Sequence, residues 1–301
     1  MKKYIDYSKE VKEAIDANKP IVAIETAGTF EGFDYPENLK LAKLVTDKIR
    51  ENGAVPAYIG IVNGRIKVGL EKDDMERLAN PGRMLVKASR RDIPMLVAKE
   101  DDALTAVAST MMIADMVGIK VVTGGGIGGV HRGVQTSFDI SADLKEFEKS
   151  NVVVVCSGAK SILDLNLTME YLETHSVSIV GYKTLELPAY MATHSGIKLE
   201  YSFDTPKEVA KYMNVKEELG IKSGLLLVNP IAEEYSVDSD KMNMAIDNAI
   251  AKANEEKITG KIITKYILTE VAKEMGGESK EASIHLNVAN ADLASKISRE
   301  L

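Results

Sequence analysis

Apolar and polar positions fall in blocks along this 301-residue chain, and the period of the pattern changes from block to block. Short apolar runs read as strands: PIVAIE (Pro20–Glu25), VPAYIGIV and GRIKVGL around the turn Asn63-Gly64, IKVVT, NVVVVCS (Asn151–Ser157), VSIVGY and GLLLVN. Between them the spacing is helical. Leu39, Leu41, Ala42, Val45 and Ile49 share one face of Glu37–Glu51, and Asn52-Gly53 supplies the stop. Ala103–Met116 and Ser161–Glu173 read as helices, and Ser161-x-x-Asp164 resembles a capping box. Ser239–Leu301 is mostly helical, punctuated by Thr259-Gly260 and Gly276-Gly277. Alternation of this kind predicts an α/β layer protein with a mixed, largely parallel sheet and a helical C-terminal part. No repeat or linker interrupts it, so one domain over residues 1–301 is expected.

Composition narrows the picture. Hydrophobic residues make up 45% of the chain, enough for a large core, and the net charge is −7. That charge argues against a nucleic-acid polymer as partner but leaves room for a small anionic substrate in a local basic pocket. Cys156 is the single cysteine, which excludes an intrachain disulfide and a cysteine-based metal site and suits a reducing cytoplasm. The N-terminus lacks the apolar region of a signal peptide. The most apolar segment, Ala103–Val122, carries Asp115 and Lys120 and reads as core helix plus strand, not as a membrane span.

The stretch TGGGIGGVHRG (Thr123–Gly133) contains Gly124-x-Gly126-x-x-Gly129 after a strand. A dinucleotide fingerprint needs a helix opening at the glycines and an acid at the end of the next strand. Here VHRGVQTSFDIS follows, and the next strand ends Cys156-Ser157. A phosphate loop needs Gly-Lys-Ser/Thr, which is missing. Two readings remain: a tight chain crossing, or bare amides approaching a small anion with His131 or Arg132 nearby.

Several polar residues end apolar runs, where α/β proteins place their sites. Glu25 closes PIVAIE, either as a solvated acid or as a desolvated one with the raised pKa of a general acid or base. Lys160 follows NVVVVCSGA and precedes the expected helix. It is either a surface lysine or an amine whose pKa is lowered by the helix dipole and apolar surroundings, able to form a Schiff base. Asp139 in TSFDISADL either holds Mg²⁺ or Mn²⁺ with waters or caps a helix, a role for which Ser141 competes. Lys87, beside Arg90 and Arg91, belongs to a phosphate-neutralising cluster or to a solvated charge run. His175, His194 and His285 lack metal-ligand spacing, and Cys156 reads as core.

GGIGGVHRG, TSFDISADL, VVCSGAKSILDLNLTMEYLE and NPI (Asn229–Ile231) together resemble the pseudouridine-5′-phosphate glycosidase family, which includes indigoidine synthase A-like proteins. NGAVPAYIGIVNGRIKVGL, SRRDIP, TAVASTMMIADMVGIKVV and ITGK extend the match from about Pro20 to Ile297. The resemblance implies a three-layer α/β/α domain, usually a homotrimer, with Mn²⁺ in the pocket. It implies reversible cleavage of the C–C glycosidic bond of pseudouridine 5′-phosphate to uracil and ribose 5-phosphate. By residue match, Lys160 forms the covalent adduct with the ring-opened sugar, Glu25 is the proton donor and Asp139 the metal ligand. Lys87, Val107, Ser141, Ala142 and Asp143 match substrate contacts, and the resemblance implies that the glycine loop forms part of the pocket wall, giving a phosphorylated sugar access to its backbone.

The chain departs from the family pattern at Thr26, Glu31, Ala106, Gly124, Ser283 and Ala289. Several of these are expected around the pocket, on the side of the leaving base. The alternatives are the same mechanism on another C- or N-ribosyl phosphate, or a non-catalytic sugar-phosphate-binding protein. Retention of both Glu25 and Lys160 argues against the last, since binding alone needs neither an acid nor an imine-forming amine.

Overall fold

The computed structural model describes residues 2–80, 82, 85–258 and 262–301. The expected break at Thr259-Gly260 and the end of the ITGK match lie outside the described residues.

The strands are β1 (Ile5–Tyr7), β2 (Ile21–Glu25), β3 (Val55–Val62), β4 (Arg65–Val68), β5 (Val86–Ala88), β6 (Ala103–Thr105), β7 (Val121–Thr123), β8 (Val130–His131), β9 (Val153–Cys156), β10 (Leu163–Asp164), β11 (Ser178–Tyr182), β12 (Ser202–Phe203) and β13 (Leu225–Val228). The helices are α1 (Lys9–Asp16), α2 (Ala27–Phe30), α3 (Glu37–Glu51), α4 (Lys72–Ala79), α5 (Ile93–Ala98), α6 (Val107–Val117), α7 (Val134–Ser137), α8 (Ala142–Glu146), α9 (Leu165–Thr174), α10 (Pro206–Glu218), α11 (Ser239–Glu255), α12 (Ile263–Glu274) and α13 (Glu278–Ser298).

Eleven strands form one sheet in the order β1-β4-β3-β2-β7-β9-β13-β11-β12, with β6 also on β3 and β5 on β6. From β3 to β12 along this path every pairing is parallel. β4 and β6 run antiparallel to β3, which makes the sheet mixed. The hairpin β3–β4 turns on Asn63 and Gly64, with φ of 50° and 69°, the left-handed pair that a two-residue turn requires.

Strand residues alternate between two cores. Val22, Ile24, Val121, Val153, Val155, Leu225 and Leu227 pack against α3, α10 and α13 on one face. Ala23, Val122, Val154, Cys156, Leu226 and Val228 point to the other, where α6 and α11 lie. Burial on both faces explains why these strands read as unbroken apolar runs. The result is the expected three-layer α/β/α fold.

Two local expectations are corrected. Residues 103–105 form β6, because Ala103 and Leu104 complete the ladder beside β3 before α6 begins at Val107. The helix expected from Ser161 begins at Leu165, capped by Asp164 accepting from the Leu167 amide, while the Ser161 hydroxyl donates to the Ala189 carbonyl. The helical C-terminal part is as expected, and its last helix, α13, lies across β2, β7 and β9.

Candidate active site

Strand β2 sits where the chain reverses its direction across the sheet: β3 lies on one side and β7 on the other. Ligands of open α/β sheets bind beyond the carboxyl ends of strands at such a point. Glu25 ends β2, the glycine loop follows β7, the Lys160 turn follows β9 and Asn229 follows β13, so parallel pairing delivers all four to one edge. Lys87 arrives from the opposite direction. It pairs with Leu104, which faces Gly60, the neighbour of Glu25's partner Ile59.

Glu25 is 2% exposed, and its Oε1 has no hydrogen-bond partner. Burial pushes its carboxyl up to about 7, against the opposing pull of Lys160 and Lys87. A buried acid with an unpaired oxygen is costly to keep and is what a proton donor at neutral pH requires. Glycines make its place. A Cβ on Gly124 would stand 2.8 Å from Glu25 Oε1, and one on Gly28 would be closer still. Since the obstructed atom ends a flexible side chain, Gly124→Ala and Gly28→Ala are expected to fold and to displace the carboxylate. Turnover should fall by about 100-fold with little change in melting temperature. Kinetics within about threefold of wild type would show that this placement is immaterial.

The glycine loop is mainly a crossing point. A Cβ on Gly125 would meet Asn287 at 3.0 Å, and one on Gly126 the Tyr190 ring at 2.7 Å. The Gly128 amide donates to Asp143 Oδ2 at 2.9 Å, so that amide is occupied by protein. The tight-crossing reading thus accounts for much of a loop that also backs the acid.

Lys87 and Lys160 are both half-buried. The charge of Lys160, followed by burial, holds the Lys87 ammonium below the usual lysine range, while Asp143, Glu25 and Glu31 pull the other way. The expected neighbours of Lys87 turn elsewhere. Arg90 makes a bidentate pair with buried Glu146 at 2.7 and 2.5 Å, and Arg91 lies 3.8 Å from Asp92. Arg132 is paired with Asp247 at 2.7 Å. The helix-terminus setting expected for Lys160 is corrected too, since α9 starts five residues later.

Asp143 is buried, and its two oxygens accept from the Ala108 and Gly128 amides at 2.8 and 2.9 Å. It therefore ties the start of α6, where Val107 is buried, to the glycine loop. Ser141 caps α8, accepting from the Asp143 amide at 3.2 Å, and Ala142 begins that helix. Capping by Ser141 leaves the Asp139 carboxylate without a hydrogen bond or ion pair among the described residues; it interacts electrostatically with His131. Burial holds the His131 ring below the usual imidazole range against the pull of Asp139, with Lys160 and Lys87 adding to the lowering. No three potential ligands cluster among the described residues. One carboxylate with an imidazole nearby fits a hard cation that keeps most of its waters.

The other histidines and the cysteine have partners of their own. His175 pairs with Glu148, His194 bridges Glu186 and Glu233, and His285 stacks on Tyr235 at 3.4 Å. Cys156 is core, and burial pushes its thiol up to about 12.

Sequence reasoning missed Asn290. Fully buried on α13, it donates to Gly124 O at 3.1 Å and Ser157 Oγ at 3.1 Å and accepts from Asn229 at 3.0 Å. It thereby joins the loops after β7, β9 and β13. The signal was available: Asn290 interrupts the apolar stripe Leu286, Leu293, Ala294, Ile297. Tyr190, buried against Gly126, was also missed.

The departures from the family pattern have distinct settings. Thr26 belongs to a buried network with Thr105 and the Ile59 carbonyl, and Ala106 is the buried N-cap of α6. Gly124 backs Glu25, while Glu31 adds negative charge near Glu25 and Lys87. Ser283 is buried close to the Tyr190 phenol, and Ala289 is half-buried on α13. Of these positions Thr26 packs in the core, away from the role of a base contact.

The model of the family described as indigoidine synthase A like protein matches residues 10–300. A pseudouridine-5′-phosphate glycosidase of Clostridium botulinum is 50% identical over 301 residues, covering 100% of this chain and 98% of that protein. One from Hahella chejuensis is 48% identical over 297 residues, covering 99% of this chain and 98% of its own. Among solved structures, the prealnumycin C-glycosynthase AlnA in complex with ribulose 5-phosphate superposes with a TM-score of 0.91 at 35% identity, covering 99% of this chain and 96% of that one. With the motifs, the layered fold and near-complete coverage in agreement, the chain belongs to the indigoidine synthase A-like family.

Proposed function

We propose that the protein is a pseudouridine-5′-phosphate glycosidase, cleaving a C–C ribosyl bond reversibly to uracil and ribose 5-phosphate. The observation that carries this reading is the buried Glu25 carboxyl, its Oε1 unpaired, within the electrostatic reach of Lys160 and Lys87. The names of its close relatives support it, and a sugar-phosphate-bound neighbour of the same fold agrees with the substrate class.

The chemistry assigned to these residues balances as follows. Lys160 Nζ attacks C1′ as the C1′–O4′ bond breaks, and the ring oxygen takes a proton to become the 4′-hydroxyl. Glu25 then protonates C5 of the base. The nitrogen lone pair forms the C1′=N iminium as the C1′–C5 pair returns to the ring and restores its C5=C6 bond. Water adds to the iminium, and ribose 5-phosphate leaves Lys160 as the free amine. An electron sink is needed because carbon, unlike a heteroatom, does not depart on simple protonation. Lys87 is assigned to neutralising the phosphate. Val107, Ser141, Ala142 and Asp143 shape the wall, Asp143 by holding the amides of Ala108 and Gly128.

Asp139, with His131 beside it, would hold one Mn²⁺ or Mg²⁺, which when bound supplies positive charge for the sugar phosphate. Asp139→Asn is expected to lower turnover by about 100-fold and to lower the metal content of the purified protein. Full turnover in chelator, with no metal found by elemental analysis, would remove the cation from this reading.

We further read the chain as a cytoplasmic homotrimer. Phe138, 85% exposed beside Val134, Ile140 and Leu167, offers an apolar patch for subunit contact. The test of function is direct. Purified protein with Mn²⁺ should release uracil from pseudouridine 5′-phosphate and, with ribose 5-phosphate, accept uracil in reverse. Condensation with other nucleobases but not uracil would favour a different ribosyl phosphate as substrate.

A further inference from the structure

Tyr190 combines features that core packing alone does not require. Its backbone is left-handed, with φ of 65°, a conformation that a bulky side chain adopts only under constraint. The segment carrying it is sewn down on both sides. The Tyr190 amide donates to Ser157 O at 3.2 Å, the Ser161 hydroxyl to Ala189 O at 2.9 Å, and the Val237 amide to Met191 O at 2.9 Å. Two of these anchors, Ser157 and Ser161, bracket Lys160 in the turn after β9.

The ring fills space that the glycine loop leaves open, and its segment packs against the turn after β9. Gly126 lacks a side chain where the ring lies, and Gly158 lacks one where Pro188 passes. The phenol lies close to the Ser283 side chain of α13 and feels the charge of Glu25. Burial pushes it up to about 12, so it remains a neutral hydroxyl and a donor at any working pH. Asn287, one turn beyond Ser283, packs on Gly125 and donates to the Ser283 carbonyl at 2.8 Å. A wedge between the loop that backs the acid and the turn that carries the nucleophile thus ends in a polar group on the α13 side.

We infer that Tyr190 determines specificity for the leaving base, its ring closing the pocket between the glycine loop and the Lys160 turn and its hydroxyl, beside Ser283, donating to a carbonyl oxygen of the departing base. The inference rests on the glycosidase reading. It places the base on the α13 side of the site and the sugar phosphate toward Lys87 and Asp139. A site built to hydrogen-bond a polar group discriminates against ligands that lack it.

Tyr190→Phe separates the two parts, because it keeps the wedge and removes only the hydroxyl. Three quantities are read in wild type and variant: kcat/KM for pseudouridine 5′-phosphate, KM for uracil in synthesis, and the yield of borohydride-trapped ribose 5-phosphate adduct. In the variant kcat/KM should fall by about tenfold and the uracil KM rise by about as much, with adduct yield within about twofold. Unchanged kcat/KM and uracil KM overturn the inference. So does a parallel loss of adduct and turnover, which marks a packing role alone. A wild type that forms the adduct but neither releases nor accepts uracil overturns the glycosidase reading, and this inference falls with it.

Discussion

Incubation with ribose 5-phosphate followed by borohydride is expected to add one reduced pentose phosphate to the protein, on Lys160. The open-chain aldehyde of the sugar needs no base partner to condense with an amine. Two features favour Lys160 over the chain's other lysines. It is half-buried in the turn held by Ser157 and Ser161, and it shares the site with Glu25 and Lys87. Lys160→Ala should remove the adduct and lower turnover by about a thousandfold or more, while circular dichroism stays native. Lys160→Arg should do the same, because a guanidinium stays charged and does not form imines. Lys87→Ala should weaken sugar-phosphate binding yet leave the adduct attainable at high concentration. A label on Lys87 in peptide maps would exchange the two roles, and turnover surviving in Lys160→Ala would end the imine mechanism for this protein.

Strands β2, β3, β9 and β13 were legible because each is buried on both faces, which leaves an unbroken apolar run in the sequence. Helix α3 was legible to the residue, since one polar face and the Asn52-Gly53 stop frame it. Segment 103–116 was misread because Ala103 and Leu104 suit a buried helix and a buried strand alike; pairing with β3 decides it. Ser161 looked like a cap because local spacing cannot show that its hydroxyl is claimed by Ala189, a residue 28 positions away. The candidate site was legible as residue types at strand ends. Convergence was not. Lys87 reaches Glu25 only through an antiparallel detour across β6 and β3, whereas Arg90 and Arg91, its sequence neighbours, point away. Asn290 and Tyr190 were missed for the same reason: their partners come from loops far along the chain.

Glu25→Gln is expected to abolish cleavage, by about a thousandfold or more, and to alter the pH dependence of both activity and stability. The carboxyl is pushed up from 4.5 to about 7 by burial, so the folded protein binds this proton more tightly than the unfolded chain does. Stability from this group is therefore fully present below about pH 4.5, declines as pH rises toward 7, and stays lost above that. The decline amounts to about 3 kcal/mol, as an order of magnitude. Glutamine carries no titrating proton, so the corresponding fall in melting temperature between pH 5 and 8 should flatten in the variant. This comparison of slopes holds even if the new amide, facing the same partnerless surroundings, costs stability at every pH. For activity, the acid must be protonated to deliver its proton to carbon. In wild type kcat/KM should fall on the alkaline side with an apparent pKa near 7. Gly124→Ala, which shifts the carboxylate without removing it, should move that alkaline limb. An alkaline limb that stays in place in Gly124→Ala, together with equal stability slopes in wild type and Glu25→Gln, would mean that another group donates the proton and that Glu25 is already ionised at neutral pH.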